Sequence, residues 1–89
     1  MADAADRAAR AFAREALSPS TWSNDAGHRY PEHHHDEHKV LFCLEGAITF
    51  HMADGEVALT AGDRIDLPPG TLHSATVGPE GVTCMEAFR

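Results

Sequence analysis

The sequence predicts an all-β fold, a small antiparallel β-barrel with one N-terminal α-helix. From Thr21 onward, short β-type runs are interrupted by Gly, Pro or Asp about every 8–12 residues, a rhythm typical of sandwiches and barrels. Helical periodicity occurs once, before that point. Several antiparallel strands in a chain of 89 residues favour a barrel, because closure removes unpaired strand edges. We therefore divide the chain into an N-terminal amphipathic helix, residues 1–19, and a β-barrel, residues 20–89.

The helical pattern runs from Ala2 to Leu17. Phe12 and several alanines recur at spacings of three and four residues, while charged side chains occupy the other side. Asp6 and Arg10 form a favourable i,i+4 pair, and Ser18-Pro19 is expected to end the helix. The alanine-rich face predicts close packing, either on the barrel or on a partner subunit, and lacks the Leu and Trp bulk of a membrane anchor.

Six or more β-strands are expected in the rest of the chain, separated by turns that contain Gly, Pro or Asp. The expected strands are Lys39–Leu44, Ile48–Met52, Glu56–Leu59, Arg64–Leu67, His73–Val77 and Thr83–Phe88. The expected turns are Glu45-Gly46, Ala53-Asp54-Gly55, Ala61-Gly62-Asp63, Pro68-Pro69-Gly70 and Gly78-Pro79-Glu80-Gly81.

The charge balance limits the classes of partner. Seven Lys and Arg residues against fourteen Asp and Glu residues give a net charge of −7, which argues against nucleic acid and against an anionic membrane surface. A small-molecule ligand is the expected partner. Hydrophobic residues make up 43% of the chain, enough for a folded core, and the small size of the domain favours reinforcement as a homodimer.

The cellular setting is predicted from the apolar runs and the cysteines. The longest uninterrupted apolar run, Val40–Leu44, is too short for a membrane span, and no basic-then-apolar secretory leader opens the sequence. Cys43 and Cys84 are too few for a disulfide framework of the secreted kind. A reduced, cytoplasmic setting is expected, and a single disulfide between these two residues is left open.

Histidine is the unusual feature of the composition. His33 and His35 are two residues apart, so in a strand their side chains share a face with Cα atoms about 7 Å apart, while His34 points away. His73 begins another expected strand directly after a tight turn, so a barrel could bring it to the same place. Three neutral imidazoles predict a divalent transition metal, Fe, Mn, Ni, Zn or Cu, at His33, His35 and His73. The remaining histidines, His28, His34, His38 and His51, are expected to be solvated.

Two ordered motifs resemble the two signatures of the cupin family. The first consists of Gly27, His33, His35, Lys39 and Gly46, and the second of Gly62, Pro68, Gly70 and His73. The resemblance covers Gly27 to Val77. It implies a double-stranded β-helix, or jelly roll, and a metal held by three histidines and a glutamate.

Two positions depart from the cupin signatures. Lys39 stands where the family usually has the glutamate ligand, and Val77 stands where it usually has asparagine. An ammonium beside a dication is electrostatically unfavourable, so Lys39 is expected to be neutral, to ligate, to swing away, or to face a site without metal. Some cupins, similar to cysteine dioxygenase, work with three histidines and no glutamate.

Strand parity extends the candidate site into a cavity. Lys39, Leu41 and Cys43 alternate on one face of their strand, so all three are expected to face the cavity if Lys39 points inward. Because no motif surrounds it, Cys43 is expected to be a small buried core residue rather than a nucleophile or redox group. The expected cavity-facing residues are Lys39, Leu41, Cys43, Phe50 and Tyr30.

Three functions are compatible with this site. The first is a metal-dependent enzyme, dioxygenase- or isomerase-like, acting on a small anionic or oxygen-bearing molecule whose anionic group Lys39 would hold. The second is a non-catalytic module that binds a small ligand at the barrel mouth. The third is a dimerising domain with weak or no metal, or one whose metal only ties strands together. A fold resemblance alone does not choose among them.

Overall fold

The fold consists of one helix followed by six antiparallel strands, in a computed structural model that describes residues 3–89. Their bounds are α1 Ala4–Arg14, β1 Ser20–Asn24, β2 Arg29–His33, β3 Lys39–Met52, β4 Gly55–Thr60, β5 Arg64–Leu67 and β6 His73–Phe88. No helix in the described part of the chain is long and apolar enough to cross a membrane.

Helix α1 begins at a capped N-terminus. The Asp3 carboxylate accepts a hydrogen bond from the backbone N–H of Asp6 at 2.9 Å, which satisfies one of the helix's otherwise unpaired donors. The helix ends at Arg14 rather than at the expected Leu17, because Ala16 adopts a left-handed φ of 58°. The expected first residue, Ala2, lies outside the described residues.

The apolar face of α1 packs on the outside of the sheet of its own chain. Ala8 and Phe12 are completely buried there, against Val40, Leu44 and Ala87. Of the two surfaces that the sequence left open for this alanine-rich face, the structure therefore shows the sheet of the same chain.

The two long strands, β3 and β6, form the centre of the sheet. The strand order is β1-β6-β3-β4, while β2 also pairs with β6 and β5 also pairs with β3. Each long strand thus serves two short partners at its two ends. The sheet curls around an apolar core without closing on itself, and the predicted all-β, jelly-roll type of fold is confirmed.

Two expected turns are wrong. Glu45-Gly46 lies inside β3, and the segment from Gly78 to Gly81 lies inside β6, so four of the expected strands merge into two. The pairing of β3 with β6 shifts register on both sides of Gly46, which marks a bulge where the strands bend. Gly46 has a φ of +74°, and a Cβ at this position would lie 2.0 Å from the Gly81 carbonyl oxygen. Glycine is needed here because the positive φ disfavours other residues and the backbone of the paired strand β6 leaves no room for a side chain.

Strands β1 and β2 were not among the expected strands. Both are mostly polar and exposed, and each pairs with β6 alone. Their apolar content is too low for a pattern search to detect, yet they carry part of the site described next.

Candidate metal centre

Three histidines that are distant in sequence converge on one point. His33 is the last residue of β2, His73 is the first residue of β6, and the two are register partners across these strands. His35 lies two residues beyond β2. The candidate ligand nitrogens of the three rings all lie within 4.8 Å of one another.

His35 reaches the site by a route that strand parity did not predict. Because β2 ends at His33, His35 does not lie on a strand. Its carbonyl oxygen instead accepts a hydrogen bond from the backbone N–H of Gly70 at 2.9 Å, and its ring packs edge-on against Phe88. The Pro68-Pro69-Gly70 turn therefore helps to fix His35 as well as lead into His73.

Backbone carbonyls set the orientation of two of the rings. Nδ1 of His33 donates to the carbonyl oxygen of Pro31 at 2.7 Å, and Nδ1 of His73 donates to that of Thr71 at 2.9 Å. A carbonyl can only accept, so Nε2 is left as the nitrogen with the lone pair. This is how proteins usually orient histidine ligands of metals.

The Nε2 atoms of two of these histidines have no hydrogen-bond partner. Among the described residues, the buried side-chain polar atoms without a hydrogen-bond partner are Nε2 of His35 and Nε2 of His73. Leaving such atoms unpaired is costly, and a metal ion would satisfy both. The donor set therefore fits a divalent transition metal.

Burial favours the neutral form of these rings. It lowers the pKa of His35, and the Lys39 ammonium and His33 lower it further, whereas the Glu86 carboxylate acts in the opposite direction. Burial also lowers the pKa of His73, although its hydrogen bond to the Thr71 carbonyl opposes this effect. Neutral imidazole is the form that ligates metals, so the site is prepared for one near neutral pH.

Lys39 points inward and is paired. Its Nζ lies 3.0 Å from Oε1 of Glu86, and the indole Nε1 of Trp22 donates to the same oxygen at 2.7 Å. Only 8% of Lys39 is exposed, and its ammonium also lies over the ring of Phe88. Pairing with an internal carboxylate was not among the four alternatives considered for Lys39.

A cavity of about 320 Å³ adjoins the histidines. His33 and His73 lie on its wall, as do three of the expected cavity-facing residues, Tyr30, Lys39 and Phe50. The other two, Leu41 and Cys43, are not among the lining residues. They are completely buried in the apolar core, on the same strand face as Lys39 but farther inside.

Tyr30 gives the cavity a polar group. Its hydroxyl accepts a hydrogen bond from the Asn24 amide, which leaves the phenolic proton available to a ligand, and its ring packs edge-on against Trp22 at 5.7 Å. Burial raises the pKa of Tyr30, so the hydroxyl stays protonated and can donate.

Glu86 is a cavity residue that sequence reasoning did not single out. A charged residue between Met85 and Ala87 in an otherwise apolar closing strand was the available signal. Its significance depends on the register with the neighbouring strands, which the sequence does not show.

The other histidines lie outside the three-ring cluster. His28 and His34 are exposed. His38 and His51 are half-buried and hydrogen-bonded rather than solvated as expected. His38 contacts Asp66 at 2.9 Å, and His51 contacts both Glu56 and Thr76.

Comparison with known proteins identifies the type of domain. The sequence model of the AraC-like ligand-binding domain matches residues 23–85. Acireductone dioxygenase 1 from Nocardia farcinica is 39% identical over 61 residues, which cover 64% of this chain and 32% of that protein. Quercetin 2,3-dioxygenase from Bacillus subtilis is 37% identical over 49 residues, covering 54% of this chain and 14% of that protein. The chain thus spans about a third or less of the length of these relatives.

Solved structures agree on the fold. An RmlC-like cupin from Shewanella frigidimarina has a TM-score of 0.71 at 28% identity, over 81% of this chain and 64% of that chain. The DMSP lyase DddQ from Ruegeria pomeroyi has a TM-score of 0.75 at 26% identity, over 82% of this chain and 38% of that chain.

Proposed function

This chain belongs to the AraC-like ligand-binding family of the cupin superfamily, and from that premise we propose that it binds a divalent transition metal and acts on a small molecule beside it. His33, His35 and His73 would hold the metal. The observation that carries the proposal is the pair of buried Nε2 atoms, on His35 and His73, that lack hydrogen-bond partners. Imidazole donors suit Fe, Mn, Ni, Zn and Cu, so the donor set does not select one of them.

The proposed reaction class is dioxygenase- or isomerase-like. A metal at this position supplies Lewis-acid or redox chemistry at an oxygen atom of the substrate. The names of two relatives, acireductone dioxygenase and quercetin 2,3-dioxygenase, support a small oxygen-bearing substrate. The cavity volume of about 320 Å³ suits a molecule of modest size.

The side chains around the cavity would orient such a substrate. The Lys39 ammonium, although paired with Glu86, has N–H groups left to donate to an oxygen atom of the substrate, and the Tyr30 hydroxyl offers a further hydrogen bond. Ile48, Phe50 and Ala75 form an apolar wall of the cavity. A substrate that covers this wall would displace water from it, which strengthens the electrostatic interactions of the bound molecule.

A second candidate function is ligand binding without catalysis. The matching family is described as ligand-binding, which favours this alternative. The cavity and its polar groups would then serve recognition alone, as in a small sensory module. A purely dimerising domain is the third alternative, and a homodimer is compatible with any of the three. Light scattering on the untagged protein tests the dimer.

The metal site is tested by elemental analysis and calorimetric metal titration of untagged protein. We expect bound transition metal in the wild type and its loss in His33→Ala, His35→Ala and His73→Ala. His34→Ala is the matched control, because it removes an exposed ring from the same segment and should keep the metal. Metal retained in all three ligand variants would overturn the site.

Catalysis is tested separately from binding. Oxygen consumption by the Fe(II)-loaded protein is measured with a panel of small thiols, diketones and phenolics. Turnover that is lost in His73→Ala supports an enzyme. Calorimetric binding of a panel member without turnover supports the ligand-binding alternative.

A further inference from the structure

Glu86 lies on a strand that is paired on both sides. It lies on β6, whose two neighbours in this region are β3 and β1. Glu86 is the register partner of Leu41 on one side and of Ser20 on the other, so Lys39 and Trp22 are its diagonal neighbours from the two flanking strands. Both direct a donor at the same carboxylate oxygen, at 3.0 Å and 2.7 Å.

The Lys39–Glu86 pair is largely removed from water. The side chains are 10% and 15% exposed, so neither charge is well solvated on its own. In such a position the loss of one partner leaves an uncompensated charge, which is far more costly than loss of an exposed pair. Lys39 and Glu86 both line the cavity whose wall also carries His33 and His73.

An unneutralised ammonium on the cavity wall would oppose a dication at the three histidines. Like charges repel strongly where water is excluded, because the effective dielectric constant is low. A carboxylate 3.0 Å from the ammonium opposes this repulsion, and the hydrogen bond from Trp22 holds the carboxylate in place.

We propose that Glu86 is a positioning residue of the metal site, which neutralises the Lys39 ammonium and anchors it to β6 so that the three histidines can hold a dication. This inference rests on the proposed metal site. Glu86 touches neither a ligand nitrogen nor the metal in this role, and it acts through Lys39.

The test measures metal affinity directly, by competition with a chromogenic chelator. Glu86→Gln keeps the shape of the side chain but removes the charge, and we expect the affinity for Zn(II) to fall about tenfold or more. The double variant Lys39→Met/Glu86→Gln removes both charges and should return the affinity to within about threefold of wild type. Such a rescue distinguishes electrostatic positioning from a general loss of structure.

Glu80→Gln is the matched control. Glu80 lies on the same strand, is exposed, and undergoes the same chemical change. Its metal affinity should equal that of the wild type.

The outcomes separate this inference from the proposed function. A wild-type protein that binds no metal overturns both. Wild-type binding with an unchanged Glu86→Gln, or with no recovery in the double variant, overturns the role of Glu86 alone. If Glu86→Gln does not fold, the test uses Lys39→Met instead. This variant must bind Zn(II) more tightly than wild type, because the negative charge of Glu86 is then no longer compensated by the Lys39 ammonium. Equal or weaker binding in Lys39→Met would also overturn the proposal.

Discussion

His33 and His73 face each other as register partners across β2 and β6, with ring centroids 4.2 Å apart. The same two residues end one strand and begin the other, so strand pairing and ligand placement depend on each other. β2 has only five residues, and its pairing is irregular between Tyr30 and His33. A metal bridging the two strands should therefore stabilise β2 more than the rest of the sheet.

Metal binding is predicted to slow amide hydrogen exchange selectively in β2. A ligand at a hundred times its dissociation constant adds about 2.7 kcal/mol to the free energy of unfolding. Short, exposed strands open most readily without it. Exchange measured by mass spectrometry with and without Zn(II) should show the larger change in residues 29–33, and none in His73→Ala. A uniform change across the sheet would contradict local bridging.

Lys39→Glu is predicted to have opposite effects with and without metal. It replaces an ion pair of 3.0 Å by two carboxylates, so the metal-free protein should melt at a lower temperature than wild type. With metal the added negative charge should tighten binding about tenfold. Thermal melts and chelator competition measure the two effects. Weaker metal binding in this variant would mean that Lys39 itself coordinates.

Some residues of the site are predictable from the sequence and others are not. His33 and His73 were predicted because they belong to spaced motifs that contain turn-forming glycine and proline. His35 was predicted for the wrong local reason, since it lies beyond the strand and is held by Gly70. Glu86 was missed because its role exists only through pairing with strands whose register the sequence does not encode in any local pattern.

The fold shows the same limit. The core-facing runs of β3 and β6 were recognised by their apolar residues, but each strand was divided in two. Gly46 and the segment from Gly78 to Gly81 have the composition of turns. Their glycines instead permit β3 and β6 to bend while they remain closely paired. This arrangement depends on long-range contact rather than on local conformational preference.

Gly46→Ala is predicted to be much more damaging than Gly27→Ala. Both glycines have a φ of +74°, so the backbone strain of about 1–2 kcal/mol is common to both. At Gly46 the added methyl group also meets the Gly81 carbonyl oxygen, while at Gly27 nothing lies within 4 Å. Denaturant unfolding should show a loss of about 4 kcal/mol or failure to fold for Gly46→Ala. Equal losses of stability in the two variants would mean that the approach of Gly46 to Gly81 is not tight in solution.

Acid is predicted to weaken the attachment of α1. Hydrogen bonds from Arg64 lower the pKa of Glu15 from 4.5 to about 2, and Arg89 contributes further. Hydrogen bonds from Arg64 likewise lower the pKa of Asp66 from 3.8 to about 2. A carboxyl group with a lowered pKa in the folded state contributes stability above its unfolded pKa and loses it as the pH falls through the folded value. Stability should therefore fall between about pH 5 and pH 2.

This acid loss is measured by urea unfolding at several pH values. Glu15→Gln should be less stable than wild type at pH 6 and should show a shallower decline toward pH 2. Glu80→Gln, which removes an exposed carboxylate on β6, should keep the wild-type slope. An unchanged slope in Glu15→Gln would show that the contact with Arg64 does not contribute in solution.

Cys43 and Cys84 are predicted to be unreactive in the folded protein. The two free thiols are register partners on β3 and β6 and are completely buried. Burial raises the pKa of Cys84 to about 12, and it raises that of Cys43 as well. At pH 8 Cys84 is therefore almost entirely in the unreactive thiol form. Ellman's reagent should therefore label both thiols in guanidinium but label neither rapidly in buffer. Rapid labelling of the native protein would mean that the central strand pair opens readily, and the Cys84→Ser variant would identify which thiol becomes accessible.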